Sequence, residues 1–164
     1  GAYQADPNGS VSGETYVVFG SDADFGASLD LSSLDGSNGF VINGIDPGDL
    51  SGYSVSGAGD INGDGFDDIL IGADEADPNG KTYAGETYAV FGSDAGFGAS
   101  LDLGSLDGSN GFVLNGIDTV DLSGRSVSSA GDINGDGIDD ILIGAHQADP
   151  DVRATGENSA VIDS

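Results

Sequence analysis

Apolar residues in this chain fall in short runs with the period of strands, separated by long polar stretches. Residues 15–20 (Thr-Tyr-Val-Val-Phe-Gly) are β-branched or aromatic and closed off by glycine, a strand pattern. Residues 39–45 (Gly-Phe-Val-Ile-Asn-Gly-Ile) form the next. Residues 53–58 set Tyr, Val and Gly against Ser in alternation, as a half-buried strand does. After Asp68, residues 69–73 are apolar without interruption, which suits a strand covered on both faces. Between the first two runs lies a Ser/Gly/Asp loop carrying Phe25, Leu29, Leu31 and Leu34. Its leucines are expected to tuck under the loop as a small satellite core, with one helical turn over 29–34. No other segment has helical periodicity.

The same order of elements then returns. A shift of 72 residues lays 13–79 on 85–151, with 55 of 67 positions identical, so the period is one supersecondary unit. The copied strands fall at 87–92, 111–117, 125–130 and 140–145. At the ends, Gly1-Ala2 aligns with Gly72-Ala73, Gly156-Glu157 aligns with Gly85-Glu86, and Ala160-Val161-Ile162 restarts the first strand. The sequence therefore predicts nine strands in groups of two, four and three: a partial unit over 1–45, a full unit over 46–117, and a unit over 118–164 that is incomplete at its C-terminal end. Such units bury their faces only by stacking on neighbours.

One stretch in each unit carries candidate chemistry. Asp60, Asn62, Asp64 and Asp68 stand at positions 1, 3, 5 and 9 of a loop with glycine at position 6, and Asp132, Asn134, Asp136 and Asp140 repeat the arrangement. A hard divalent cation takes six to eight oxygens at about 2.3–2.6 Å. Gly65 and Gly137 permit the sharp turn that aims alternate side chains inward, since glycine adopts positive φ without steric cost. The position-7 carbonyl, from Phe66 or Ile138, completes each set. Three carboxylates per loop repel one another unless a cation sits among them. The reading is two Ca²⁺ ions, one per complete loop. An EF-hand is excluded, because it needs a bidentate Glu at position 12 and flanking helices, whereas position 12 here is Ile71 or Ile143. Turn formation by Asp, Asn and Gly alone explains two loops at identical spacing less well than it would explain a single one.

Composition narrows the partners. Three Lys and Arg face 29 Asp and Glu, a net charge of −26, which repels nucleic acid and anionic lipid. There is no Cys, so thiolate metal sites and disulfides are excluded. No apolar run reaches the length of a membrane span, so no membrane insertion is expected. The chain opens at Gly1 without Met or a signal peptide and reads as processed or excerpted. Weak calcium sites fill where calcium is near millimolar, which points to an extracellular or cell-surface setting.

Other candidate chemistry is thin. Neighbours in a strand point to opposite faces, so Asp67-Asp68 and Asp139-Asp140 each read as one ligand and one outward carboxylate. His146 replaces Asp74 of the earlier unit and is expected in solvent. Glu14, Glu86 and Glu157 open equivalent strands and read as edge polar residues. Asn8-Gly9-Ser10 is a glycosylation sequon. No nucleophile–base set is present, and the chain is read as no enzyme.

The stretch from Ser51 through Gly52, Asp60, Asn62, Asp64 and Asp68 to Ala73, with its copy over 123–145, resembles the FG-GAP repeat, the calcium-binding blade of integrin α-subunit-type β-propellers. The resemblance implies an all-β fold of tandem four-stranded antiparallel β-propeller-type blades, here about two full 72-residue repeats plus partial ends. It also implies calcium ligation by the residues named above. Leu50-Ser51-Gly52 and Leu122-Ser123-Gly124 lack the phenylalanine of "FG", and Asp74 and His146 replace the proline of "GAP". The metal loops are intact. Two functions follow. One is a calcium-binding extracellular structural protein that self-associates, or joins neighbouring blades of a longer chain, as an array or fibre. The other is an adhesion module that binds a protein or glycan. A recognition face needs loops that differ between blades, yet 34–40 and 106–112 are identical. That sameness favours the structural reading.

Overall fold

The computed structural model describes residues 1–22 and 26–149. Its strands are β1 (Glu14–Val18), β2 (Gly39–Asn43), β3 (Ser54–Gly59), β4 (Asp68–Ala73), β5 (Glu86–Val90), β6 (Ser100–Asp102), β7 (Gly111–Asn115), β8 (Ser123–Gly131) and β9 (Asp140–Ala145), with single 3₁₀ turns at Leu31–Ser33, Pro78–Gly80 and Leu103–Ser105. The fold is all-β. The strands form three sheets, ordered β1-β2-β6, β3-β4-β5-β7 and β8-β9. In the middle sheet every neighbouring pair is antiparallel, which is the four-stranded blade that the repeat predicts. The strand expected at 160–162 lies outside the described residues.

The sequence reading does not include β6. It lies in the polar loop of the second repeat, yet it pairs in parallel with β2 of the first, Ile42 opposite Leu101. Asn43 reinforces the pair by donating to Asp102 Oδ1 at 2.8 Å. This is one departure from purely antiparallel blades, and it arises because the long loop crosses to the preceding sheet. The expected satellite core is corrected for the same reason. Leu103 is buried in the main core, with Leu101, Leu106 and Phe97 packed against it. The Phe97 ring stacks on Phe40, centroids 4.2 Å apart and planes within 7°. The open apolar face of the preceding sheet lies within reach of this loop, and covering it removes more apolar surface from water than clustering beneath the loop would. Leu29 and Leu31, the first-repeat counterparts of Leu101 and Leu103, are each 43% exposed.

The middle sheet is buried on both faces. Along β4, Ile71 and Ala73 face one core together with Phe40, Ile42, Tyr88 and Val90. Leu70 faces a second with Ala58 and Ala89, where Val127 and Ile141 of the third sheet close over it. The uninterrupted apolar run is thus divided between two interfaces by strand alternation. At the second interface backbones approach closely: a Cβ on Gly72 would lie 2.0 Å from the Gly124 carbonyl oxygen. The first interface repeats this contact, where a Cβ on Gly1 would lie 1.9 Å from the Gly52 oxygen.

The turn between β2 and β3 buries a carboxyl group. Asp49 is 9% exposed. Burial, and secondarily the charges of Asp46, Glu86 and Asp77, push its pKa up to about 7.

Two outcomes follow. Gly72→Ala should destabilise the protein by about 1–3 kcal/mol through overpacking. Gly57→Ser should be nearly neutral, since a Cβ there meets nothing within 4 Å and the second repeat carries Ser129; urea unfolding compares the two. For Asp49, a folded pKa above its unfolded value of 3.8 means that its contribution to stability is full below about pH 4 and lost as pH rises through about 7. Asp49→Asn should therefore gain stability relative to the parent as pH rises across that window. Parallel melts at pH 4.5 and 7.5 that show a constant difference would refute this.

Candidate metal loops

Each candidate loop joins two strands of one antiparallel pair, β3 to β4 and β8 to β9. The two loops are built alike. Asp60 Oδ1 accepts from the N–H groups of Gly63 and Asp64 at 2.7 and 3.1 Å, and Oδ2 from Gly65 at 2.8 Å. Asn62 Oδ1 accepts from Asp64 N–H, and Asp64 Oδ1 from Phe66 N–H, each at 2.9 Å. In the second loop Asp132 accepts from Gly135, Asp136 and Gly137, Asn134 from Asp136, and Asp136 from Ile138. Gly65 and Gly137 hold φ of 91° and 90°, the conformation that the sixth loop position requires. Phe66 and Ile138 are 40% and 37% exposed.

The ninth position behaves differently. Asp68 is 1% exposed at the base of its loop. Its two oxygens accept from Ile61 N–H at 3.0 Å and Gly92 N–H at 2.8 Å, tying the loop to the end of β5. Asp140 accepts from Ile133 in the same way, at 2.8 Å. Electrostatics follow the geometry. The Gly65 N–H, with those of Gly63 and Asp64, holds the Asp60 carboxyl below the usual range. The Gly137 N–H leads the same effect on Asp132. Burial pushes Asp68 up, with its two N–H partners opposing and the charges of Asp64 and Asp60 adding to the rise.

The donor set of each loop, three carboxylates, one amide and one carbonyl, has the hard-oxygen chemistry that suits calcium. Among the described residues, however, no three His, Cys, Asp or Glu groups converge as a metal site. The same oxygens are satisfied by backbone N–H groups. Asp60, Asn62 and Asp64 come together at the tip, joined by an Asn62 to Asp64 hydrogen bond of 2.9 Å, while Asp68 stands behind them.

Some positions depart from the sequence reading. Asp67 is exposed, but Asp139 is not simply outward. Its Oδ2 accepts from Asp60 N–H at 3.0 Å, and its own N–H donates to the Asp60 carbonyl at 3.2 Å. The second loop is thereby fastened to the first, which strand alternation within one loop does not reveal. His146 is exposed. Glu14 and Glu86 accept from the hydroxyls of Tyr16 and Tyr88, and Glu157 lies outside the described residues. Asn8 donates to the Gly44 carbonyl at 2.7 Å. A cleft of about 600 Å³ opens beside the first loop, lined by Asp64, Phe66, Phe91, Asp94, Phe97 and Asn110 among others. No helix among the described residues is long and apolar enough to cross a membrane.

Comparison with known proteins agrees with this architecture. The FG-GAP repeat family matches residues 51–90 and 123–162. Integrin alpha pat-2 of Caenorhabditis elegans is 33% identical over 105 residues, 64% of this chain and 8% of that protein. Integrin alpha-5 of Xenopus laevis is 32% identical over 120 residues, 71% of this chain and 10% of that protein. Phosphatidylinositol-glycan-specific phospholipase D of Bos taurus is 32% identical over 94 residues, 57% of this chain and 11% of that protein. The chain thus spans about a tenth of the length of these relatives. Two stacked blades, two equivalent acidic loops and these matches lead to one conclusion: the chain carries tandem FG-GAP repeats, similar to those of integrin α subunits.

Proposed function

We propose that this chain is a calcium-stabilised stretch of β-propeller that serves adhesion at the cell surface or outside the cell, with no enzymatic role. The observation that carries the reading is the pair of loops with the same hydrogen-bond geometry, each with oxygen-bearing side chains at positions 1, 3, 5 and 9 of its sequence, on repeats related to integrin α subunits. Calcium bound by Asp60, Asn62, Asp64, the Phe66 carbonyl and Asp68, and by Asp132, Asn134, Asp136, the Ile138 carbonyl and Asp140, neutralises charge that the chain otherwise carries uncompensated. The cleft beside the first loop offers aromatic and polar groups to a protein or glycan.

A second reading rests on a separate observation. The Gly72–Gly124 approach recurs as Gly1–Gly52 at the other junction. An interface that repeats along the chain suits continued stacking, in a longer chain or between copies, as an array or fibre.

Calcium at 100 times its dissociation constant should stabilise the protein by about 2.7 kcal/mol per site, because binding and folding are coupled. A thermal midpoint unchanged by EGTA would rule out the calcium reading. In titration calorimetry the parent should bind two ions and Asp64→Ala or Asp136→Ala one; two ions in either variant would place the ligands elsewhere. Electron microscopy in calcium separates the two assemblies. Discs are expected for the propeller reading, whereas rods with a regular axial repeat would favour the array.

A further inference from the structure

The two repeats differ at 12 of 67 aligned positions, and two of those differences meet across the junctions between sheets. Position 53 is tyrosine where the next repeat has Arg125, and position 74 is aspartate where the next has His146. Tyr3 occupies the place of Asp74 one repeat earlier: Ala2 bridges Glu14 as Ala73 pairs with Glu86, and the Ala5 to Ala2 hydrogen bond recurs as Ala76 to Ala73. At the first junction the facing residues are therefore Tyr3 and Tyr53, ring centroids 5.3 Å apart. At the second they are Asp74 and Arg125, joined by an ion pair of 2.7 Å. The Arg125 guanidinium also lies 4.3 Å over the Tyr53 ring, so the four side chains form one column along the stacking direction.

We infer that this facing pair is a selector that decides which repeat seats on which. Repeats that are nearly identical can stack out of order, and misassembly of that kind is a characteristic failure of repeat proteins. The shared residues cannot prevent it, since they fit any neighbour equally. The facing pair can. Asp74 is wholly buried, and its Oδ1 finds no partner even when Arg125 holds Oδ2. A neighbour that offers tyrosine instead of arginine leaves a buried carboxylate with no counter-charge, the costly error at an interface. Conversely, an arginine against Tyr3 finds no carboxylate. The penalty thus falls at the second junction, where tyrosine in place of arginine strands Asp74, while the first merely offers arginine no counter-charge; this is discrimination by mismatch. The kind of partner recognised is the face of another repeat of this type, read at the position of Tyr53 and Arg125.

The test uses the full chain in calcium and exchanges one junction's pair for the other's. Arg125→Tyr and Asp74→Tyr each create a mismatch, and each should lower the thermal midpoint by about 10 °C. Asp74→Tyr/Arg125→Tyr rebuilds the pair of the first junction and should recover at least half of the summed losses. Asp74→His, which brings in the third repeat's residue against an unchanged Arg125, should behave as a mismatch even though it is smaller than tyrosine. A double variant that falls by the sum of its singles would overturn the selector. So would single variants that melt with the parent.

Discussion

A strand with two apolar faces has to be covered twice, and the rest of this structure depends on how β4 is covered. Strand alternation sends Ile71 one way and Leu70 the other, so neither the sheet before nor the sheet after can be dispensed with. Each repeat is thereby an incomplete object whose stability lies in its contacts with the next. Close backbone approach at Gly72 follows from the same demand: small residues let two sheets come near enough to exclude water from the leucines and isoleucines between them.

Charge is the second constraint. With 29 acidic residues and three basic ones, ion pairing cannot satisfy more than a small fraction of the carboxylates. The chain satisfies many with its own backbone instead. Asp30, Asp35 and Asp107 accept from nearby Ser hydroxyl and N–H groups and are held below the usual carboxylate range. Asp60 and Asp132 do the same at the loop tips. The scarce cations are used sparingly: Lys81 lies 3.6 Å from exposed Asp118, while Arg125 meets the buried Asp74. A surface so constituted concentrates cations from solution around it.

Much of this was legible in the sequence, and the limits have physical reasons. The middle sheet could be read because its strands obey local rules, β-branched runs bounded by glycine, and because the 72-residue repeat showed which runs recur. The two acidic loops could be read because their geometry is set within nine residues. What local rules do not contain is contact between repeats. Residues 100–102 have no strand signature of their own; they become a strand because β2 offers an open edge. The leucines of the long loop look like a satellite core until the preceding sheet is there to receive them. Asp139 grips Asp60 across 79 positions, beyond any spacing argument. Arg125 and Asp74 left a trace, as two of the 12 differences between the aligned repeats. That trace was readable only by asking whether the differences face each other.

The parallel pairing of β6 with β2 has a consequence for how the protein is made. The first sheet does not gain its third strand from its own repeat but from chain that lies 57 residues further on, between Asn43 and Ser100. At roughly 5–20 residues per second, a ribosome leaves the edge of β2 bare for about 3–11 s. A bare edge is an invitation to whatever strand arrives first, and on a polysome the nearest competitor is the same segment of the neighbouring nascent chain. The speed of translation through the second repeat's long loop thus sets how long adjacent nascent chains have in which to cross-pair.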